Sequence, residues 1–160
     1  MQKRPARRAR RKKTVVAVSG GFDPVHIGHV RLFEAARKLG DELVVILNND
    51  NWLLKKKGYV FMPQKDRKEI LEAILHVDRV VISSHSKDPE DMSVAEDLAK
   101  VRPHVFANGG DRTAQDSHRK ASSLNPDREM CVRLGVEMRF NVGRGGKIRS
   151  SSEIVKKRAR

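Results

Sequence analysis

The fold of this chain is decided by the stretch Ser19-Gly20-Gly21-Phe22-Asp23-Pro24-Val25-His26-Ile27-Gly28-His29. It follows a short apolar run, residues 14–18, and precedes residues 30–39, in which apolar side chains recur at helical spacing. The stretch therefore lies where a strand ends and a helix begins. Adjacent glycines allow a sharp turn and a close approach to a ligand, and a helix N-terminus presents unpaired N–H groups and a positive dipole end. We predict an anion-binding site here.

Two histidines mark the start of the predicted helix. His26 and His29 are three positions apart, so their imidazoles would face the same small volume. A side chain at Gly28 would crowd that volume. The alternative is that both are ordinary solvated or capping histidines at a helix terminus. Their position after Gly-Gly-Phe-Asp-Pro favours a chemical role, as hydrogen-bond donors to a bound anion.

The rest of the chain alternates between strand and helix patterns. The predicted strands are residues 14–18, 42–48, 79–83, 104–107 and 136–140. The predicted helices are residues 30–39, 66–75 and 92–101, one from 125 and a last one from about 150. Strands separated by helices of this length imply parallel pairing with right-handed crossovers. We predict an α/β fold, a Rossmann-like five-stranded parallel sheet with helices on both faces, which binds its ligand at the carboxyl ends of the strands.

A second anion site is predicted near the C-terminus. Ser150 to Ser152 precede Glu153 and an apolar pair, a pattern typical of a helix start. Ser150 and Glu153 fit a capping box, which is the structural alternative. Hydroxyl and N–H groups at this helix N-terminus, preceded by Arg144, Lys147 and Arg149, would also bind a β,γ-diphosphate.

The loop after the fourth predicted strand is Asn108-Gly109-Gly110-Asp111-Arg112. Its glycines would let the backbone approach a base or ribose, and Asp111 could accept a hydrogen bond from a sugar hydroxyl or help to hold Mg²⁺. Residues 113–123, rich in small and polar side chains, are expected to form a mobile loop that could cover the site; an unstructured insertion is the alternative.

Two of these motifs resemble a known superfamily. Gly21-Phe22-Asp23 followed by His26-Ile27-Gly28-His29 is similar to the signature of the His-x-Gly-His nucleotidyltransferases, and Ser150 to Ser152 to their serine/threonine motif. The resemblance covers residues 14–157 and looks strongest for heptose-phosphate adenylyltransferases, with glycerol-phosphate cytidylyltransferases next. Two features depart from it: residues 22–26 look more like nicotinate-mononucleotide enzymes, and the basic N-terminal extension matches none of these patterns.

The resemblance implies an enzyme that transfers a nucleoside monophosphate from ATP or CTP to a small phosphate-bearing acceptor, with Mg²⁺, and releases pyrophosphate. The favoured interpretation is a sugar-phosphate adenylyltransferase, and the alternative is a glycerol- or alcohol-phosphate cytidylyltransferase. An alternative of another class is a nucleic-acid-binding module that acts through the basic N-terminal tail. The choice between ATP and CTP stays open.

The resemblance also implies residue roles. The expected catalytic residues are His26, His29, Lys56 and Lys57, with the choice of lysine left open. The expected nucleotide-binding residues are Gly20, Gly21, Phe22, Asp23, Gly28, Gly109, Asp111, Arg149, Ser150, Ser151 and Ser152. Arg67, with Lys57, is expected to bind the substrate phosphate, and Asp111 to contact the metal. The alternatives are a solvated lysine run and a surface helix arginine.

Length and charge set the expected organisation. The chain has 160 residues, 38% of them hydrophobic, which is enough for one core. We expect a basic disordered tail over residues 1–13 and one nucleotidyltransferase domain over residues 14–160. Eight basic residues in the tail and four more at the C-terminus account for most of the net charge of +14. The tail contains no aromatic side chain to stack on bases, which favours a solvated extension over a nucleic-acid arm.

The cysteine count and the length of the apolar runs indicate the cellular compartment in which the protein is expected. Cys131 is the single cysteine, so no internal disulfide can form, as is usual in a reducing compartment. No apolar run approaches the length of a membrane span. We therefore expect a cytoplasmic enzyme whose partners are a nucleoside triphosphate, a small phosphorylated substrate and further copies of itself in a homodimer or larger oligomer, with neither nucleic acid nor membrane.

Overall fold

The strands and helices alternate along the chain. The structure, a computed structural model, describes residues 11–110, 112–143 and 149–158. The strands are β1 Val15–Gly20, β2 Glu42–Leu47, β3 Arg79–Ile82, β4 Val105–Ala107 and β5 Glu137–Arg139. The helices are α1 Ile27–Arg37, α2 Asp50–Lys57, α3 Gln64–Glu72, α4 Ala95–Val101, α5 Ala114–His118, α6 Leu124–Leu134 and α7 Ser151–Arg158.

The strands form one five-stranded parallel sheet in the order β3-β2-β1-β4-β5. β1 lies in the centre, with Val15 opposite Glu42 of β2 and Val16 opposite Val105 of β4. The chain adds strands on one side of β1 as far as β3 and then crosses over to the other side. The strand order therefore reverses beside β1, and such a switch point opens a crevice at the carboxyl ends of the strands. The predicted Rossmann-like α/β fold is confirmed.

The two faces of the sheet bury different helices, because side chains alternate along each strand. Val16 and Val18 of β1 pack in one core cluster with Phe33 of α1 and Leu71 of α3. The intervening Ala17 packs on the other face, in a second cluster. That cluster includes Ile46, Phe106, Leu98 of α4 and Cys131 of α6. Helices thus cover both faces, and the predicted helical position of Cys131 is confirmed.

Two segments for which the sequence predicted no helix are helical. The lysine-bearing segment after β2 forms α2, which begins at an Asn49 cap and ends at Gly58, where φ is 81°. Within residues 113–123, α5 begins with a reciprocal capping box between Thr113 and Asp116. Both helices are short, and their apolar spacing is weak. Their caps, rather than a hydrophobic stripe, identify them.

Among the described residues, no helix is both long enough and apolar enough to pass through a lipid bilayer. Residues 1–10, most of the predicted tail, lie outside the described part of the chain. The division into a tail over residues 1–13 and a domain over residues 14–160 stays a prediction.

Candidate active site

A cleft of about 400 Å³ opens at the carboxyl ends of β1, β2, β4 and β5. Such a volume is typical of small-molecule sites. The structure brings to this cleft most of the site residues predicted from the sequence. They are Gly20, Gly21, Phe22, His26, Gly28, His29, Lys56, Lys57, Gly109, Arg149, Ser150, Ser151 and Ser152. The histidine motif and the late serine cluster, more than a hundred residues apart in the chain, therefore share one cavity.

The two histidines cap α1 and face the cleft at the same time. His26 is the N-cap residue, and its Nδ1 accepts a hydrogen bond from the backbone N–H of Gly28 at 3.1 Å. His29 Nδ1 accepts from the backbone N–H of His26 at 3.3 Å. The rings stack with their centroids 3.7 Å apart. Since each Nδ1 is used as an acceptor, a neutral ring carries its proton on Nε2, which remains as the donor.

The surroundings of the histidines favour the neutral form. Burial, together with the charges of His26 and Lys57, lowers the pKa of His29 to about 3. Burial and the Arg149 guanidinium lower the pKa of His26. Both rings are therefore uncharged at neutral pH, and they can donate hydrogen bonds to an anion without adding a formal charge.

Phe22 and Gly28 hold the histidine pair in place. The buried Phe22 ring meets the His29 ring edge to face, with centroids 4.8 Å apart, and packs against Phe33 in the core. Phe22 adopts a φ of 48°, which non-glycine residues seldom do. A Cβ built at Gly28 would lie 2.9 Å from His26 Cε1. The prediction that a side chain at position 28 would crowd the imidazoles therefore agrees with the geometry.

The start of α7 is joined to the histidine loop. Ser151 Oγ donates to the carbonyl oxygen of Pro24 at 2.8 Å, and the Ser150 carbonyl accepts from Ile154 N–H in the first turn of the helix. Arg149 is close enough to His26 to affect its pKa. Two helix N-termini, those of α1 and α7, therefore border the same volume, and the positive ends of both helix dipoles lie there.

The two lysines differ in how they are held. Lys57 is half-buried, and its Nζ donates to the Asp23 carbonyl at 3.0 Å. Its charge contributes to the low pKa of His29. Lys56 lines the cleft but is exposed to solvent. Lys57 is therefore the lysine with a defined position beside the histidines.

Arg67 does not lie where the resemblance placed it. Its side chain is fully buried and does not line the cleft. Its guanidinium donates to the carbonyl oxygens of Met62, Gly21 and Asn48 and to the Asp50 carboxylate. Because the side chain is buried and four of its five N–H donors are bound within the protein, Arg67 presents no phosphate site in the cleft. It joins the loops that follow β1 and β2.

Asp23 is likewise a structural residue rather than a nucleotide ligand. Its side chain is completely buried, and its two carboxylate oxygens accept the backbone N–H groups of Phe61 and Met62 at 2.8 and 2.7 Å. A carboxylate bound in this way holds the segment after α2 against the histidine loop. The predicted contact with the nucleotide is not compatible with this burial.

The chain matches the family model described as cytidylyltransferase-like over residues 17–157. The chain belongs to the cytidylyltransferase-like family. It is therefore a nucleotidyltransferase, as the paired motifs predicted.

Several characterised proteins resemble this cytidylyltransferase-like chain. It is 40% identical to the FAD synthase of Pyrococcus horikoshii over 77% of this chain and 81% of the relative. Over 64% of this chain it is 41% identical to the bifunctional protein HldE of Streptomyces coelicolor, but this match spans only 21% of that protein. A lipopolysaccharide core biosynthesis protein from Thermoplasma volcanium has the same fold. Its crystal structure gives a TM-score of 0.60 at 22% identity, covering 82% of this chain and 98% of that one.

Sequence reasoning missed part of this cytidylyltransferase-like site. Trp52, Arg112 and Asn108 line the cleft, as do Ser19, Leu32, Val142 and Gly143. Trp52 carried a usable signal, because it is the single tryptophan and lies in the segment that follows a predicted strand at the ligand edge. Asn108 and Arg112 belong to the loop that the sequence singled out after β4, but neither was given a role. Ser19 and Leu32 reach the cleft from β1 and α1, and Val142 and Gly143 from the loop after β5, and none of these four carried a pattern of its own.

Every charged residue among the described residues that line the cleft is basic. Lys56, Lys57, Arg112 and Arg149 line it, and no carboxylate does. The described residues also contain no group of three or more His, Cys, Asp or Glu that could hold a metal ion. Asp111, the predicted metal contact, lies outside the described residues, as do Arg144 and Lys147. The basic lining of the cleft thus suits a polyanion.

Proposed function

We propose that this chain transfers the AMP group of ATP to the phosphate of FMN, forming FAD and releasing pyrophosphate. The observation that carries the proposal is the meeting of two helix N-termini, a neutral histidine pair and several cationic side chains in one cleft. The acceptor is taken from the archaeal FAD synthases, which match most of this chain at about the same total length.

The proposed reaction needs no general base. One oxygen of the acceptor phosphate, already ionised at neutral pH, attacks the α-phosphorus of ATP in line. The new P–O bond forms as the bond to the bridging oxygen of pyrophosphate breaks, and no proton has to move. The task of the protein is therefore positioning and stabilisation of charge.

We assign the charge-stabilising roles from position in the cleft. The Nε2–H groups of His26 and His29 donate to the α-phosphoryl oxygens, where charge develops in the transition state. Lys57 neutralises the phosphates beside them. Arg149 and the N-terminus of α7, Ser150 to Ser152, bind the leaving pyrophosphate. The triphosphate oxygens would hold Mg²⁺, which would supply further neutralisation of their charge.

A second candidate acceptor is a sugar phosphate. The similarity to HldE, together with the sequence resemblance to heptose-phosphate adenylyltransferases, favours it. Cytidylyl transfer to glycerol phosphate is the remaining alternative from the sequence. All three reactions share the same phosphoryl centre and differ in the base and the acceptor.

A screen of two nucleotides against three acceptors tests the proposal. MgATP or MgCTP is combined with FMN, a sugar 1-phosphate or glycerol 3-phosphate, and pyrophosphate release is measured with mass identification of the product. We expect FAD from ATP and FMN at a rate above every other pair. If the sugar phosphate reacts faster than FMN, the acceptor is a sugar phosphate and the FMN assignment is wrong. If CTP is preferred to ATP, the assignment of adenylyl transfer is wrong.

The His29→Ala variant tests the catalytic centre itself. Removing one preorganised donor is expected to lower kcat by roughly a hundredfold to a thousandfold. His76→Ala is the matched control, because His76 precedes β3 at the opposite end of the sheet and should leave kcat unchanged. Pyrophosphate release by His29→Ala at the wild-type rate, with circular dichroism confirming the fold of both variants, would overturn the role of His29.

A further inference from the structure

The cleft has two sides that flank the histidine pair. Because β1 is central in the sheet, the loop that carries the histidines has β2 on one side and β4 on the other. Trp52, Lys56 and Lys57 of α2 line the β2 side. Asn108, Gly109 and neighbouring loop residues line the β4 side. A transferase that joins two substrates at one phosphorus needs a separate subsite for each, and these two sides provide them.

The β4 side is built from backbone. A Cβ at Gly109 would lie 2.8 Å from Leu32 Cδ1 and 3.0 Å from the Val142 carbonyl oxygen, so only glycine fits there. Gly109 and Gly110 have no side chain to cover their peptide groups, which suits hydrogen bonding to the edge of a base. None of the described residues that line the cleft from β4, β5 and their loops is aromatic. This side is therefore suited to the nucleoside of ATP.

The β2 side presents an aromatic ring in a fixed position. The Trp52 indole Nε1 donates to the Met92 carbonyl oxygen at 3.0 Å. At the opposite end of the ring system, Cζ3 lies 3.4 Å from the position of a Cβ built at Gly21. The Trp52 backbone N–H is held by the Asn49 side chain that caps α2. The indole hydrogen bond and the Asn49 cap orient the half-buried Trp52 side chain before any ligand binds, and Trp52 lines the cleft beside Gly21.

Two lysine side chains lie near the Trp52 ring on α2. Lys56 is four residues after Trp52, which places both side chains on one face of α2. Lys57 follows, with its Nζ directed to the Asp23 carbonyl next to the histidine loop. An aromatic platform next to ammonium groups matches a ligand that joins a planar ring to a phosphate.

We infer that Trp52 is the platform on which a planar aromatic ring of the acceptor stacks, so that the site selects phosphate monoesters bearing such a ring over sugar or glycerol phosphates. The inference rests on the proposed function, since it takes the β2 side as the acceptor subsite. It goes further by assigning acceptor specificity to one residue.

Steady-state kinetics of Trp52→Leu test the inference. The KM for FMN should rise roughly tenfold to a hundredfold, the change expected when one aromatic stacking partner is lost, while the KM for ATP stays within about twofold. Trp52→Phe, which keeps a ring, should restore most of the affinity and remains informative if the leucine variant folds poorly. Phe61→Leu is the matched control, because the Phe61 side chain is exposed and does not line the cleft.

Flavin fluorescence gives a reading that does not depend on turnover. Stacking on indole quenches flavin emission at contact distance, so FMN should lose emission on binding to the wild type and much less on binding to Trp52→Leu. This quenching decides the inference even if the wild type forms no FAD. FAD formation without Trp52-dependent quenching leaves the proposed function standing and overturns the inference, as does a rise in the KM for ATP instead of FMN.

Discussion

At the scale of single residues, the histidine pair shows that a structural role and a chemical role can depend on each other. The capping bonds to the Nδ1 atoms of His26 and His29 satisfy backbone donors at the start of α1. The same bonds determine which nitrogen is left to donate into the cleft. The sequence analysis treated helix capping and anion binding by these histidines as alternatives. The structure shows that capping is what orients the rings, because an imidazole has only two nitrogens.

Arg67 has a structural role in place of the chemical role expected for it. The sequence predicts that it binds the substrate phosphate, but its guanidinium is buried and hydrogen-bonded within the protein. We expect Arg67→Leu to lower the free energy of unfolding by about 3 kcal/mol or more, the cost of breaking a buried ion pair and its hydrogen bonds. Three carbonyl groups and the Asp50 carboxylate would lose their donor. Urea unfolding measures the change.

Lys68→Leu is the control for the arginine variant. Lys68 is the next residue, but it forms an exposed ion pair with Glu72 one helical turn away, at 2.7 Å. Such pairs contribute about 0.5 kcal/mol at most. An Arg67→Leu variant as stable as the wild type, with only a raised KM for the acceptor, would instead support the phosphate contact expected from the sequence.

At the scale of secondary structure elements, the junction of α6 and α4 buries an acid. Asp127 of α6 is 2% exposed and accepts the backbone N–H of Val94, which caps α4, at 2.8 Å. Burial raises the pKa of Asp127 to about 7, with Asp91 and Asp97 acting in the same direction and Arg112 opposing them. A carboxyl group whose pKa is higher in the folded state stabilises the protein when protonated. That contribution is complete below the unfolded pKa of 3.8 and is lost as the pH rises through about 7.

The Asp127→Asn variant removes this titration. Between pH 4 and pH 7 the wild type should lose up to about 1.4 kcal/mol per pH unit of the stability that protonated Asp127 contributes. The asparagine side chain of the variant does not titrate, so the variant loses none of its stability in this way. The stability of the variant relative to the wild type should therefore grow as the pH rises from 4 to 8. Any fixed cost of burying the amide is the same at every pH and does not affect the slope. Urea unfolding at several pH values measures how the stability difference between the variant and the wild type changes with pH.

Asp88→Asn supplies the control for the pH series. Asp88 is largely exposed and pairs with Lys55 at the surface, so its replacement should leave the slope unchanged. Parallel pH dependence of Asp127→Asn and the wild type would show that the buried carboxyl group is not protonated in the folded protein.

At the scale of the whole molecule, the net positive charge of the chain is concentrated near the two ends of its sequence. Of the predicted tail, the structure describes residues 11–13, where Arg11 forms an exposed ion pair with Asp41 at 2.8 Å. We expect a chain that begins at residue 14 to keep the kcat and KM of the full chain, because surface pairs add little stability and no described tail residue lines the cleft.

Two measurements test the truncation. The nucleotidyl transfer rate of the two chains is compared first, and their binding to DNA at low and high salt second, since phosphate contacts through Lys and Arg weaken steeply with salt. Loss of transfer in the shorter chain would contradict an independent domain over residues 14–160. It would favour the alternative in which the basic tail carries the main activity.

The order of elements was largely predictable, because long apolar runs and helical spacing record which face of an element is buried. β1, β2, α1, α3 and α6 agree with the sequence to within a few residues. α2 and α5 were not predicted, since a short helix at the surface has little apolar periodicity and depends on its caps. The predicted oligomer also stays a prediction, because it depends on contacts beyond a single chain.

The sequence by itself determined the parallel α/β fold, the two helix starts that carry the site motifs and the class of reaction, because these depend on local spacing and on motifs along the chain. Only the tertiary structure decided that both helix starts share one cleft, that Arg67 and Asp23 are buried supports, and that Trp52 lines the cleft on the β2 side. These facts depend on which distant residues meet when the sheet order reverses at β1. Burial then decides whether a charged side chain is bound to the protein or left for a ligand.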